Sequence, residues 1–223
     1  PRLDRLMTGT EFDPAQEEAT FRIAATDHAT QAFIPPLCRE VLSKNPRVRF
    51  SFVPFHGGQY EALEKGRLDL LLNADDGTAP SHLSREVIFE ADLVCVVARK
   101  SKYGKAISLK QYLAADHVGI DIVDGIQTIP EKHLSAIGEK RRCPLVVAYH
   151  SAAIQAAART SLIATVPRRV AALEASNRSI KILEAPAVLG RFKYLMLWHQ
   201  RMNTDASHGW LRATMRELGK SLS

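Results

Sequence analysis

The sequence predicts an α/β chain folded as two lobes, and three observations carry that prediction. From Phe21 onward, short apolar runs of strand length alternate with amphipathic helical stretches, the pattern of a mainly parallel sheet with crossover helices. The alternation runs through two similar series, and two such units facing each other would enclose a cleft at the loops beyond the carboxyl ends of their strands. With 223 residues, 46% hydrophobic and 24% charged, the chain is long enough for one large domain or two small lobes. No stretch reaches the roughly 18 consecutive apolar residues that a membrane span needs.

Residues 1–20 read as the end of a helix running into a hinge: Leu3, Leu6 and Met7 have helical spacing, Gly9 suits a C-cap, and a polar stretch with Pro14 follows. The chain starts at Pro1 without a methionine, so something is expected in front of it. Phe21–Ala25 is the first strand, and Ile34, Leu37 and Val41 mark the helix after it, with Thr26–Thr30 as the loop between. Val48, Phe50 and Phe52 alternate with polar residues as a half-buried strand. His56-Gly57-Gly58 then leads into a helix with Tyr60 and Leu63 that ends at Gly66, and Leu68–Leu72 and the continuous apolar run Leu93–Ala98 complete the first unit.

The second series starts with a helix capped by Ser108. Val118–Val123 is a strand, Pro130 opens a helix that Gly138 ends, and Leu145–Tyr149 is a strand. Ser151 is placed as the cap of a helix with Ile154 and Ala158. Leu162–Val166 is a strand, and Pro167 opens a helix carrying Val170, Leu173 and Ala175. Ile180–Leu183 and Phe192–His199 are the last strands, and Leu211, Met215, Leu218 and Leu222 give the closing helix. The ligand-facing loops are then Thr26–Thr30, Phe55–Gly58, Gly119–Gln127 and Tyr149–Ile154.

Charge and cysteines narrow the class. Thirty basic against 24 acidic side chains give a net charge of +6, but the bases are scattered among acids, and the densest run, Lys140-Arg141-Arg142, follows Glu139 directly, so it reads as solvated surface. Cys38, Cys95 and Cys143 form no CxxC pair and suggest a reducing, cytoplasmic compartment; Cys95 reads as core. Acidic residues from Asp4 to Glu18 interrupt any apolar leader.

Common catalytic signatures are absent: no GxSxG, GxGxxG, P-loop or HExxH occurs, so no enzyme chemistry and no cofactor are expected. His28, His56 and His150 each follow a strand. They lack the local spacing of a metal site, which leaves ordinary structural or surface histidines against hydrogen-bonding groups for a polar or anionic ligand. Gly57-Gly58 and Ser151 each precede helical patterns, as plain helix starts or as sites where an anion approaches backbone N–H groups. Trp198 and Trp210 read as packing residues. Because His28 and His56 fall in loops, removing either is expected to weaken ligand binding and to leave stability nearly unchanged.

Phe12-Asp13-Pro14 followed by Phe21-Arg22-Ile23-Ala24-Ala25-Thr26-Asp27 and Pro35-Pro36-Leu37 resembles the start of the effector-binding domain of LysR-type transcriptional regulators. Glu64-Lys65-Gly66-Arg67-Leu68-Asp69, the strand Asp92–Lys100, the run Leu162–Ala171 and Met196-Leu197-Trp198-His199 with Trp210-Leu211-Arg212 continue the resemblance in order across residues 12–216. The Trp-His strand and the Ala-Thr-Val-Pro-Arg run resemble the branch of nodulation and aromatic-degradation regulators.

The resemblance implies a type II periplasmic-binding-protein-like fold: two α/β lobes with a ligand cleft between them. Lobe I would comprise residues 21–98 and 192–223, and lobe II residues 99–191, with crossings near Arg99–Gly104 and Leu189–Phe192. It also implies a DNA-binding domain and linker helix ahead of this chain, with residues 1–20 as the linker's end, so the chain alone would bind effector and self-associate without recognising DNA. A homodimer is implied, and a tetramer in the longer protein, through the Ile34–Leu42 helix and the helix after Pro144–Tyr149. No membrane partner is implied.

Carried over residue by residue, the effector contacts fall on Thr26, Asp27, His28 and Thr30, on Phe55, His56 and Gly57, on Asp121 and Gln127, and on Tyr149, Ser151 and Ala152. Here His28 and His56 stand where many relatives have Ser or Thr. Aromatic acids and phenolics are the molecules the branch suggests. An extracytoplasmic solute-binding protein and an enzyme on the same scaffold, similar to porphobilinogen deaminase, are the alternatives.

Overall fold

The structure, a computed structural model, describes residues 12–121, 127–174, 176 and 178–222. β1 (Ala19–Ala25) lies at the centre of a parallel group, with β2 (Val48–Pro54) on one side and β3 (Leu70–Ala74) on the other. Phe21, Ile23, Ala24 and Ala25 of β1 are all buried, as a strand covered on both faces requires. Helix α1 (Asp27–Leu37) starts directly after β1: the Thr26 side chain caps it by accepting from the Ala29 N–H, and a π-helical turn at Cys38–Leu42 follows Pro35 and Pro36, which lack the N–H to continue a regular ladder. The segment Thr26–Thr30, expected as a loop, is therefore the cap and first turn of this helix. α2 (Gln59–Glu64) is short and enters through Gly58 at φ +89°, a left-handed turn open to glycine.

β4 (Leu83–Ala98) runs through the whole molecule, and the expected strand Leu93–Ala98 is only its end. Its first part, Leu83–Asp92, pairs antiparallel with β9 (Arg191–His199), which in turn pairs with β3. Its last part, Leu93–Ala98, pairs with β7 (Ile163–Pro167) and β8 (Ile180–Glu184). β4 thus changes partners at Asp92–Leu93, ahead of the Arg99–Gly104 segment expected for the crossing.

The second lobe continues from β7 to β5 (Asp116–Ile120) and β6 (Arg142–Val147), all parallel. The full order is β2-β1-β3-β9-β4-β7-β5-β6, with β8 on β4. A Ser108–Gln111 capping box opens α3 (Leu109–Leu113); α4 (Ile129–Ala136) has Pro130 in its first turn; α5 (His150–Arg159) and α6 (Arg168–Leu173) follow β6 and β7. α7 (Ala206–Lys220) returns to the first lobe and buries Leu211, Met215 and Leu218. It lies so close to β4 that a Cβ on Gly219 would sit 2.6 Å from the Ile88 carbonyl oxygen.

Trp198 is buried, and Trp210 packs on Phe12, Phe21 and Phe50, so both tryptophans are packing residues. Cys95 is fully buried, and desolvation pushes its thiol up to about 12. The expected helix at Leu3–Met7 with its Gly9 cap, the end of the Val118–Val123 strand and the position of Ala175 lie outside the described residues.

Candidate functional site

A cavity of about 90 Å³ lies where β4 and β9 pass between the lobes. Thr26, His28, Phe55 and Ala74 line it from the first lobe, and Ile120, Thr128, Arg141, His150 and Thr165 from the second. Leu93, Phe192 and Tyr194 of the two connecting strands also line it.

His28 sits in the first turn of α1, 2% exposed, with its ring edge-on to Tyr194 at 5.3 Å and to Phe89 at 5.9 Å between centroids. Phe89 and Tyr194 stack with their ring centroids 4.7 Å apart. Neither His28 ring nitrogen has a hydrogen-bond partner. Desolvation pushes its pKa down to about 3, with His150 and Arg169 acting in the same direction, so the imidazole is neutral at physiological pH. A neutral imidazole with one donor and one acceptor both unpaired is a site waiting for a polar group. Beside it the Thr26 hydroxyl contacts the Tyr194 hydroxyl, whose pKa is raised by burial.

The second-lobe wall is charged. Arg141 has a side chain only 2% exposed. Its Nε and Nη2 donate to Glu131 Oε1, and its Nη1 donates to Tyr112 Oη at 2.9 Å and to Thr165 Oγ1 at 3.0 Å. The Tyr112 and Thr165 hydroxyls also lie 2.8 Å apart, within hydrogen-bond distance, so the four side chains form one network. Thr128 Oγ1 and Glu131 Oε2 are buried without partners.

The lobes meet at Asp27. Its Oδ2 accepts from the His150 backbone N–H at 3.1 Å and lies 3.6 Å from His150 Nδ1, while Gln31 donates to Oδ1 at 2.8 Å. Burial alone would raise the Asp27 pKa, but the hydrogen bonds from His150 and Gln31 outweigh it and hold the carboxyl below its usual value. This contact also explains why Ser151 is not a cap. α5 begins one residue earlier, at His150, and its first N–H is accepted by a carboxylate from the other lobe, leaving Ser151 exposed and away from the cavity.

Of the residues singled out from sequence, Thr26, His28, Phe55, Gln127 and His150 line the cavity. Asp27, Thr30, Phe55 and Tyr149 line a neighbouring depression of about 300 Å³ at the lobe junction. His56 does not face His28. The chain turns outward through Gly57-Gly58, leaving His56 and Gly57 exposed, with His56 Nδ1 2.6 Å from the Gly57 carbonyl oxygen. Asp121 is exposed, and its N–H donates to the Val147 carbonyl at 3.0 Å; Ala152 lines neither space. The remainder of the Gly119–Gln127 loop, residues 122–126, lies outside the described residues. Among the described residues no three His, Cys, Asp or Glu side chains converge to hold a metal ion.

Arg141 is the residue that sequence reading misplaced. Lys140 and Arg142 are exposed, Arg142 pairing with Asp116 at 2.6 Å, but Arg141, the residue just before β6, has its side chain buried. A base flanked by outward bases on a strand edge was the available signal. Tyr194 and Thr165 were hidden inside apolar strand runs, where a single polar residue does not disturb the pattern.

Residues 14–220 match the LysR substrate binding domain. The chain belongs to that family. This LysR domain is 28% identical over 214 residues to Nodulation protein D 1 of Rhizobium tropici, covering 95% of the chain and 69% of that protein. It is 31% identical over 215 residues to the HTH-type transcriptional activator NagR of a Ralstonia species, covering 96% of the chain and 71% of that protein. Against Nodulation protein D 1 of a Bradyrhizobium strain the chain spans 64% of the relative's length. Among solved structures, a probable transcriptional regulator of Pseudomonas aeruginosa superposes with a TM-score of 0.83 at 25% identity, covering 95% of this chain and 70% of that one.

The resemblance read from sequence therefore holds for family, branch and fold: the LysR domain is an effector-binding regulatory domain of the type II periplasmic-binding-protein-like class. The relatives carry the names of regulators, so neither the solute-binding alternative nor the enzyme alternative is favoured.

Proposed function

We propose that this LysR domain binds a small organic effector in the cavity between its lobes and relays its presence to a DNA-binding domain elsewhere in a longer, cytoplasmic, oligomeric regulator. The observation that carries the reading is His28: a buried side chain with two unpartnered nitrogens, on the wall of the cavity where both connecting strands pass. Thr26, Phe55 and Gln127 stand with it as effector contacts, joined by Thr128, Arg141 and Tyr194. Asp27, Thr30 and Tyr149 frame the outer depression that leads to it. Lobe I is taken as residues 21–92 with 191–222, and lobe II as 93–190, following the change of partners in β4.

Ligand seated between Thr26–His28 and Arg141–Thr165 would tighten the Asp27–His150 contact, and that closure is the movement to be relayed. Dimerisation through the Ile34–Leu42 region and α5 is supported by the exposed Leu145 and Val146 on the edge strand β6 and the exposed Tyr149 at the start of α5. The test is a melting-temperature screen of small aromatic and aliphatic molecules on the wild type and on Ala74→Phe, which fills the cavity. A ligand that raises the melting temperature of the wild type and not of the filled variant supports the reading; equal shifts in both place the binding elsewhere.

A further inference from the structure

The cavity has one arginine on its wall, the group that an organic acid would seek, yet the guanidinium faces inward with its hydrogen bonds already made. Of its five N–H donors, four are engaged: Nε and one on Nη2 by Glu131, and the two on Nη1 by Tyr112 and Thr165. No pair of parallel donors is left for a carboxylate, and the positive charge is opposed by the Glu131 carboxylate on which two of those bonds converge. Asp76, an acidic residue, also lines the wall, while Lys132 donates to the Asp76 carbonyl at 2.6 Å and does not line it. His150 lies against the Asp27 carboxylate. The unpartnered groups on the wall, the two His28 nitrogens, Thr128 Oγ1 and His150 Nδ1, suit a hydroxyl, which donates and accepts at one atom. The rest of the lining includes Leu93, Ile120, Ile129 and Phe192.

Resting on the reading of this cavity as the effector site, we propose that it selects an uncharged, hydroxyl-bearing aromatic molecule, and that Glu131, by engaging the Arg141 guanidinium from behind, is the specificity-determining residue that turns carboxylates away. Glu131 is not itself among the lining residues. It acts by positioning Arg141.

Two probes of one ring size separate the possibilities: resorcinol, uncharged with two hydroxyls, and benzoate, an anion at neutral pH. In calorimetric titration the wild type should bind resorcinol at least about tenfold more tightly than benzoate. Glu131→Gln, which leaves the guanidinium uncompensated, should bring benzoate level with resorcinol or ahead of it. The double variant Glu131→Gln with Arg141→Gln should lose that gain. A wild type that prefers benzoate or takes neither probe overturns the inference, as does a Glu131→Gln variant that folds and keeps the wild-type ratio. If Glu131→Gln does not fold, the wild-type ratio decides alone. Unchanged binding of both probes to Ala74→Phe would instead defeat the cavity as the effector site.

Discussion

The first-lobe wall of the cavity keeps its deepest polar groups uncharged, whereas the second-lobe wall buries a full ion pair. On the first side, a neutral imidazole and the Thr26–Tyr194 hydroxyl pair sit among Phe55, Phe89 and Ala74. On the second, Arg141 is held by Glu131, Tyr112 and Thr165. Neutral groups with free hydrogen-bonding capacity can change partners when a ligand arrives, at the cost of a site left unsatisfied without one. An ion pair held by its neighbours cannot change partners cheaply, because removing either member strands a charge. The first wall is therefore the adaptable one, and the second is the rigid template against which it closes.

The sharpest way to break this contrast is Arg141→Leu. It leaves Glu131 unpaired and removes donors from Tyr112 and Thr165, so stability should fall by about 3 kcal/mol, the lower end for a broken buried pair because Glu131 keeps some contact with water. Urea unfolding of wild type and variant measures it. A loss under about 1 kcal/mol would mean that the network is as adaptable as the opposite wall.

The first wall should reveal itself through pH. His28 has a usual pKa of 6.5 and is held at about 3 in the fold, so the unfolded chain takes up its proton first as pH falls. The stabilisation is present above pH 6.5 and is lost progressively between 6.5 and about 3, at up to about 1.4 kcal/mol per pH unit. Between pH 7 and pH 5 this amounts to about 2 kcal/mol. His117, held at about 4 by burial, contributes in the same direction, so His28→Leu should flatten the slope without abolishing it. Unfolding midpoints at the two pH values, with an unaltered slope in His28→Leu, would contradict the burial argument.

What the sequence made legible divides along the same line. Strands and helices followed from period-two and helical spacing, and the first wall from the Thr26–His28 segment directly after β1. The second wall did not, because its residues come from α3, α4, β7 and the segment just before β6, and no local pattern announces that Arg141, Glu131, Tyr112 and Thr165 meet. The passage at Asp92–Leu93 was hidden for a related reason: Leu83–Ala98 is one strand whose partners change, and partners are not written in the strand. Ser151 was misplaced because its helix takes its cap from Asp27, far away in sequence.

A smaller effect is expected at the Thr26–Tyr194 pair. Tyr194→Phe keeps the ring stacked on Phe89 and removes only the hydroxyl, while Thr26 Oγ1 still accepts from the Ala29 N–H at 3.4 Å. The cost should be about 1 kcal/mol, that of one buried hydrogen bond, read as a shift of the urea midpoint. A neutral result would indicate that the pair adds little to the wall.

The smallest effect belongs to His56, and it sharpens the comparison by setting one histidine against another. Sequence reading gave His28 and His56 equal standing, as loop residues whose removal would weaken binding and spare the fold. The structure separates them: His28 is 2% exposed within a helix's first turn, whereas His56 is exposed, bonded only to its neighbour Gly57 and absent from the cavity wall. Surface changes away from packing or networks stay within about 0.5 kcal/mol, so His56→Ala should leave the unfolding midpoint and the binding of any cavity ligand unchanged. Truncating His28 to Ala, by contrast, opens space beside Phe89 and Tyr194 and should lower stability along with affinity. Paired titrations and melts on the two alanine variants make the distinction: a loss of affinity in His56→Ala as large as that in His28→Ala would restore the symmetry and move the ligand outward, toward the depression lined by Thr30 and Tyr149.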